Sequence, residues 1–420
     1  MLRSWTLPIF LMALSVAAAG PADDAIPVAE TDWPWWRGAR RDGTAPEGQK
    51  PPLSWSATEN VLWKAEVPGR GHGSPILFGD HLYLAACDEK LDTQSVLCHD
   101  RATGRRLWET EVHRGGAMRK NAKSTGASVT PACDGERVFI NFANGGAVTT
   151  TALGRDGKIL WQTKISDYVI HQGYGSSPAP YGPLVLVSAD HHGGGVVAGL
   201  DRKTGAVVWK RGRPKVPNYS SPVVLRIGGR DQLIMTGCDL VSSLDPLTGS
   251  LLWETAGATT ECVTSTVTDG THVYSSGGYP RNHLAAIRAD GSGKIAWETK
   301  DRVYVPSFLF HEGHLYGVLD AGQAACWAAD TGKELWKARL GGTFSASPVR
   351  VGDRIYATNE AGETFVFRAS PEKFSQLATS KLGDEVFATP AFCGNRIYAR
   401  VAHKVEGRRQ EIIYCLGEKP

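Results

Sequence analysis

The 420-residue sequence has no block of like charge, no closely spaced cysteines and no long helical period, and each absence removes a class of protein. Lys and Arg number 46 against 43 Asp and Glu, and the net charge is +3. With no dense basic cluster, nucleic acid and anionic membranes are not expected as partners. None of the eight Cys forms a CxxC, so zinc-ribbon and thioredoxin-like sites are excluded. HExxH and a nucleophile elbow are also missing. The one long apolar run, "WTLPIFLMALSVAAA", falls short of the ~20 residues of a spanning helix, and no transmembrane segment is expected. With Arg3 before it and Ala17 and Ala19 as a small-x-small cleavage pattern, it reads as an export leader over residues 1–19. No Cys follows it, so the mature chain is expected to be soluble and monomeric, in the periplasm or outside the cell. Disulfides persist in such compartments. Cys87 could bridge Cys98 and Cys238 could meet Cys262, with buried free thiols as the alternative.

Glycine and tryptophan are abundant instead, at 48 and 13 residues, which suits short strands and many turns. One phrase recurs: "DRATGRRLWE", "GRDGKILWQ", "DRKTGAVVWK", "DPLTGSLLWE", "ADGSGKIAWE", "ADTGKELWK". Its Trp falls at 63, 108, 161, 209, 253, 297 and 336, six steps spanning 273 residues. That spacing matches the ~40–50 residues of a four-stranded propeller blade. Between the tryptophans runs a Ser/Thr-Pro phrase, as in "GSPILFGDHLYL" and "SASPVRVGDRIYA", with two copies lacking the Pro, "TSTVTDGTHVY" and "PSFLFHEGHLYG". Each unit reads as strand a after Ser-Pro, a turn, strand b, a loop, strand c, a Thr-Gly turn, and strand d carrying Trp. Alternating apolar residues such as Leu82, Leu84 and Ile355, Ala357 fit pleated strands.

The expected fold is all-β: an eight-bladed propeller of four-stranded antiparallel blades. "ENVLWKAEV" is a strand d with nothing before it, and the segment from Ala388 to Gly417 is an a–b–c with no d after it. Joining them closes the last blade and removes an open sheet edge. In "FSQLATSKLG" Ala378 stands where Trp is expected. Residues 20–52 form a lead-in to a propeller over residues 53–420. Its "DWPWWRGARRDG" is expected to pack across one face, with an exposed contact patch as the alternative.

The Asp-x-x-Thr-Gly-x-x-x-Trp phrase followed by Ser-Pro resembles the repeat of pyrroloquinoline-quinone (PQQ)-type eight-bladed propellers, over about residues 33 to 417. That superfamily holds both quinoprotein dehydrogenases and the assembly lipoprotein BamB. "WPWWRGARRDG", "GRGHGSP" and "HQGYGSSP" are similar to a group of exported bacterial propellers. The resemblance implies that the indoles dock against the neighbouring blade's turn. It also implies a ligand at the channel mouth lined by the d-to-a and b-to-c loops. Candidate binding residues there are His72, Lys123, Tyr174, Asn218, Tyr219, Glu261, Arg281, Tyr304, Asn359 and Glu385.

Three functions fit such a rim. The first is a scaffold or binding module for a protein or small molecule. The second is a quinoprotein oxidoreductase. It would hold calcium on Glu261, Asn218 or Asn359, take a proton on Asp239 or Asp320, and polarise PQQ with Arg281 or Lys123. The familiar alcohol dehydrogenases of this type carry adjacent cysteines and a CxxCH haem segment, and this chain has neither. The third is a hydrolase or lyase acting on an extracellular polymer through rim acids and His171, with His192 as a further metal candidate. Two bland readings stand beside these: Asp88, Asp190, Asp239 and Asp320 seat tight turns, and His191–His192 is a solvated loop tip.

Overall fold

The computed structural model describes residues 25–118 and 121–418. The leader expected over residues 1–19 lies outside them. Thirty-two strands form eight antiparallel four-stranded sheets, with no helix among the described residues. Blade 1 shows the pattern: strand a Ile76–Phe78, b His81–Asp88, c Thr93–Asp100 and d Arg106–Arg114. Blades 2 to 7 follow in chain order. Blade 8 takes strand d, Val61–Val67, from the beginning of the chain and pairs it antiparallel with strand c, Arg408–Leu416, with Lys64 opposite Tyr414. The last blade is therefore completed from both ends of the chain, and no three-stranded blade is left. A buried ion pair strengthens this seam. Arg400 binds Glu411 through Nε at 2.6 Å and donates to the Ala85 carbonyl of blade 1, while Glu411 accepts the Gly71 N–H.

The recurring phrase has one task, repeated from blade to blade. The turn's Asp accepts the Thr backbone N–H and hydroxyl, as in Asp100–Thr103 at 2.8 and 2.7 Å. The following Gly sits at positive φ, +75° at Gly104 and Gly205. The indole of the preceding blade lies on that bare Cα: a Cβ on Gly104 would come within 2.4 Å of Trp63. Six of the seven indoles then donate to a carbonyl of the next blade's turn, from Trp63 to Arg101 through Trp336 to Ser370. Trp253 donates instead to Gln232 of its own blade. Blade 7 has Ala378 at the indole position, opposite Val366. Trp55 fills the gap from outside the blade, stacked on Tyr356 at 6.5 Å and 6% exposed. Elsewhere the blade's own Trp meets that strand b aromatic, as Trp108 meets Tyr83 at 5.9 Å.

Residues 32–45 cross the channel at the end bearing the a-to-b turns. Trp33 pairs with Leu77 of blade 1, the Pro34 carbonyl accepts from Cys133 of blade 2, and Arg41 reaches Pro180 of blade 3. Arg37 reaches Phe308 of blade 6, and Ala45 binds Arg350 of blade 7. Trp33 and Trp35 are buried. Burial of Arg37 and Arg41 without a full ionic partner lowers their guanidinium pKa values to about 10 and about 9.

All eight cysteines are free and buried. The Cys87–Cys98 bridge is ruled out by register: Cys87 faces Gln94 and Cys98 faces Tyr83, roughly 13 Å apart along the hairpin. Cys238 points to the Val216 carbonyl, whereas Cys262 contacts Thr259 and Ser276.

Candidate functional site

Strand a is the innermost strand of each blade, and two residues before it stands the Ser or Thr of the Ser-Pro phrase. These eight residues, Ser74, Thr130, Ser177, Ser221, Ser265, Ser307, Ser347 and Thr389, form a buried collar around the axis. Six of the eight backbone N–H groups reach the next blade's hydroxyl: Ser74 to Thr130, Thr130 to Ser177, Ser177 to Ser221, Ser265 to Ser307, Ser307 to Ser347 and Ser347 to Thr389, at 2.9–3.1 Å. The collar is interrupted at two places. Ser265 Oγ accepts the Trp36 indole N–H at 2.8 Å, and the Ser74 hydroxyl has no partner.

Above the collar a cavity of about 570 Å³ opens at the mouth formed by the d-to-a loops, and the Trp36 indole lines it. That size is typical of small-molecule sites, roughly 300–1,000 Å³. His72, Lys123, His171, Tyr174, Tyr219, Glu261 and Tyr304 all line it, as do Asn121, Gln172, Tyr279 and Phe387. His72 stacks on Phe387 at 4.2 Å and donates from Nδ1 to the Lys123 carbonyl at 3.0 Å. Burial lowers its imidazole pKa well below 6.5, so the ring is neutral and its Nε2 is a bare acceptor with no partner. Glu261, only 5% exposed, meets His171 Nε2 at 3.1 Å, and burial raises its carboxyl above the usual range. His192 packs edge-on against His171 at 5.0 Å. Tyr219 stands beside Glu261 with its buried hydroxyl unpaired. Tyr174 donates to the Ser188 carbonyl at 2.7 Å. Lys123 crosses the mouth to Glu360 at 2.7 Å.

The other candidates stand elsewhere. Asn218 donates to Asp190, Ser220 and the Thr236 carbonyl, and its Oδ1 accepts the Cys262 N–H, so both ends of the amide are occupied. Asn359 closes a turn onto Glu363 through both amide atoms. Asp320 caps the Tyr304 N–H, and burial raises its carboxyl pKa. Asp239 accepts from Thr260, Glu385 pairs with Arg409, and Arg281 is exposed. None of these six lines the cavity. Of the b-to-c loop residues only Tyr279 reaches it. That loop is set back from the axis by strand a and strand b, at ~4.8 Å per strand. The pair His191–His192 divides: His192 is exposed, but His191 is buried and accepts two backbone N–H groups on Nδ1, from Val169 and Gly193.

Among the described residues no three His, Cys, Asp or Glu side chains converge to hold a metal ion. Sequence reasoning missed Trp36 and the collar. The collar's signal was present as the Ser/Thr before each Pro, whereas the position of Trp36 depends on where the lead-in crosses. A wider groove of about 960 Å³ runs over the seam of blades 8 and 1. Its walls are charged side chains engaged with one another, such as Arg70–Glu89 and Arg409–Glu411, and it lacks the convergent aromatic and polar groups of a ligand site.

The family described as outer membrane protein assembly factor BamB matches residues 53–165, 92–317 and 283–373. No curated protein sequence matches the chain. BamB from Moraxella catarrhalis has a similar structure, with a TM-score of 0.60 and 14% identity over 84% of this chain and 96% of that one. Quinohemoprotein alcohol dehydrogenase from Comamonas testosteroni gives 0.66 and 12% over 95% and 82%. The computationally designed Ika8 protein gives 0.57 and 12% over 84% and 99%. An assembly factor, a dehydrogenase and a designed protein share the architecture, so the likeness speaks for fold and leaves activity to the site.

Proposed function

The chain belongs to the family of the outer membrane protein assembly factor BamB, and from that premise we propose that it is an exported binding module holding a small polar ligand at the channel mouth. The observation that carries this reading is a cavity floored by Trp36 whose walls include three buried polar atoms without a partner: Ser74 Oγ, His72 Nε2 and Tyr219 OH. Buried polar groups are rarely left unpaired unless something else satisfies them. Export rests on the leader-like residues 1–19. No helix of the described residues is long and apolar enough to cross a membrane.

The residues do not fit a calcium-bound quinone. Of the three oxygen donors assigned to the metal, only Glu261 faces the cavity, and Asn218 and Asn359 have their amides engaged within the protein. Hard cations want several converging oxygens, which this wall does not offer.

A thermal-shift screen with sugars, nucleosides, amino acids and PQQ with calcium tests the reading. At least one compound is expected to raise the melting temperature of the wild type, because a ligand at 100 times its Kd stabilises by about 2.7 kcal/mol. Ser345→Trp, which fills the mouth, is expected to abolish that shift. A protein that no compound stabilises, but that captures a polypeptide with Ser345→Trp as readily as without it, would overturn the reading.

A further inference from the structure

Given a ligand-binding cavity, the pattern of hydrogen-bond donors and acceptors on its wall narrows the ligand further. The collar hydroxyls Thr130, Ser177, Ser221, Ser347 and Thr389 each accept a backbone N–H, and among the described residues none donates its own proton to another protein atom. All five line the cavity, together with the unpartnered Ser74. The floor is therefore rich in O–H donors, and Tyr219 adds another on the wall. The opposite polarity is also present. His72 Nε2 is a lone pair waiting for a donor, because Nδ1 carries the ring proton. Glu261 is a carboxylate oriented by His171. A ligand that satisfies this wall must both accept and donate around one small ring, as a polyol does. A quinone offers mainly acceptors and would set its oxygens against His72 Nε2 and Glu261.

The apolar part of the wall is aromatic: Trp36 below, with Tyr279, Tyr304 and Phe387 around. Such rings bury the C–H face of a saturated ring while hydroxyls at its edge reach polar partners. Charge excludes most alternatives. Among the described residues Lys123 is the only Lys or Arg on the wall, and it is neutralised by Glu360 at 2.7 Å. Among the described residues a polyanion meets only a neutralised lysine, and a cation meets only Glu261. We propose that the ligand is a neutral carbohydrate, a pyranose or the end of a short oligosaccharide, resting on the aromatic floor with its hydroxyls shared between the collar, His72 and Glu261. Hydrolysis is not part of the proposal, because Glu261 is the only carboxylate on the wall among the described residues and glycoside cleavage uses a pair.

The test is calorimetric titration of the intact protein with glucose, galactose, mannose and xylose and their 1,4-linked di- and tetrasaccharides, alongside PQQ with calcium and adenosine. One or more of the sugars is expected to bind. His72→Phe, which keeps the stack on Phe387 but removes the acceptor, should weaken it about tenfold, as should Glu261→Gln. Circular dichroism confirms that both variants fold. A sugar whose affinity ignores both substitutions binds elsewhere, and the proposal falls. Binding of PQQ or adenosine but of no sugar, lost in Ser345→Trp, overturns the carbohydrate inference and leaves the binding cavity intact. If nothing binds, both readings fall.

Discussion

The outer girdle and the inner mouth are built by the same repeat and follow opposite rules. In the girdle, indole, positive-φ Gly and turn carbonyl meet in nearly the same geometry at five of the seven tryptophans, and variation would only weaken the seam. At the mouth the collar repeats, but the d-to-a loops above it differ in every blade: His72 in one, His171 with Gln172 in another, then Tyr219, Glu261 and Tyr304. Where neighbouring blades share one task, repetition holds the ring together. The places where the repeat departs from itself are where a ligand can be recognised, because eight identical loops would offer a symmetric and unspecific surface.

The largest effects are expected in the girdle. Gly104→Val forces a side chain into the face of Trp63 at a positive φ and should cost about 3 kcal/mol or more, read as a lower urea midpoint. Trp55→Ala should cost about as much, by emptying the indole site that blade 7 fills from outside. Adding Ala378→Trp to Trp55→Ala should recover part of that loss, whereas Ala378→Trp alone should destabilise through crowding. A double-mutant cycle with no coupling would show that the two positions do not share one site.

Acid acts on both regions. Burial lowers the pKa of eight histidines below 6.5: His72, His81, His99, His113, His191, His283, His311 and His403. The unfolded chain binds these protons first, so stability is full above about pH 6.5 and declines as the pH falls below it. The urea midpoint should drop steadily from pH 7 to pH 5. The raised carboxyls of Glu261 and Asp320 work in the opposite sense, favouring the fold at lower pH, and two such groups are outweighed by eight. The smallest effect is expected at the mouth itself. His72→Phe and Glu261→Gln should change stability by less than about 1 kcal/mol while altering ligand affinity, because their contacts, to Lys123 and Phe387 and to His171, join loops at the mouth and lie outside the packed blade seams. A stability loss as large as that of Gly104→Val would mean that the mouth is structural after all.

Much of this was readable in advance, for local reasons. Asp-x-x-Thr-Gly seats its own turn, and the Trp four residues on always lands on the outer strand, so blade number and closure follow from counting. The absent indole at Ala378 was equally visible. Its replacement by Trp55 was not, since the two positions come from opposite ends of the chain and only ring closure brings them together. The rim candidates divide by strand order. Residues just before strand a reach the cavity, as His72, Tyr219 and Glu261 do, whereas those in b-to-c loops other than Tyr279, such as Asp239, Asp320 and Asn359, stand too far from the axis. Asn218 has the right address, yet its amide ties Asp190 and Thr236 to the Cys262 backbone.

The amino-acid order alone determined the blade, its repetition and the joining of the two termini, because those depend on spacing and turn chemistry within about 45 residues. Which side chains face one another across the axis, and that Trp36 forms their floor, was decided only when eight inner strands closed into a ring. Contacts between blades far apart in the chain have no period to betray them; they exist only once the curvature of the whole has been set.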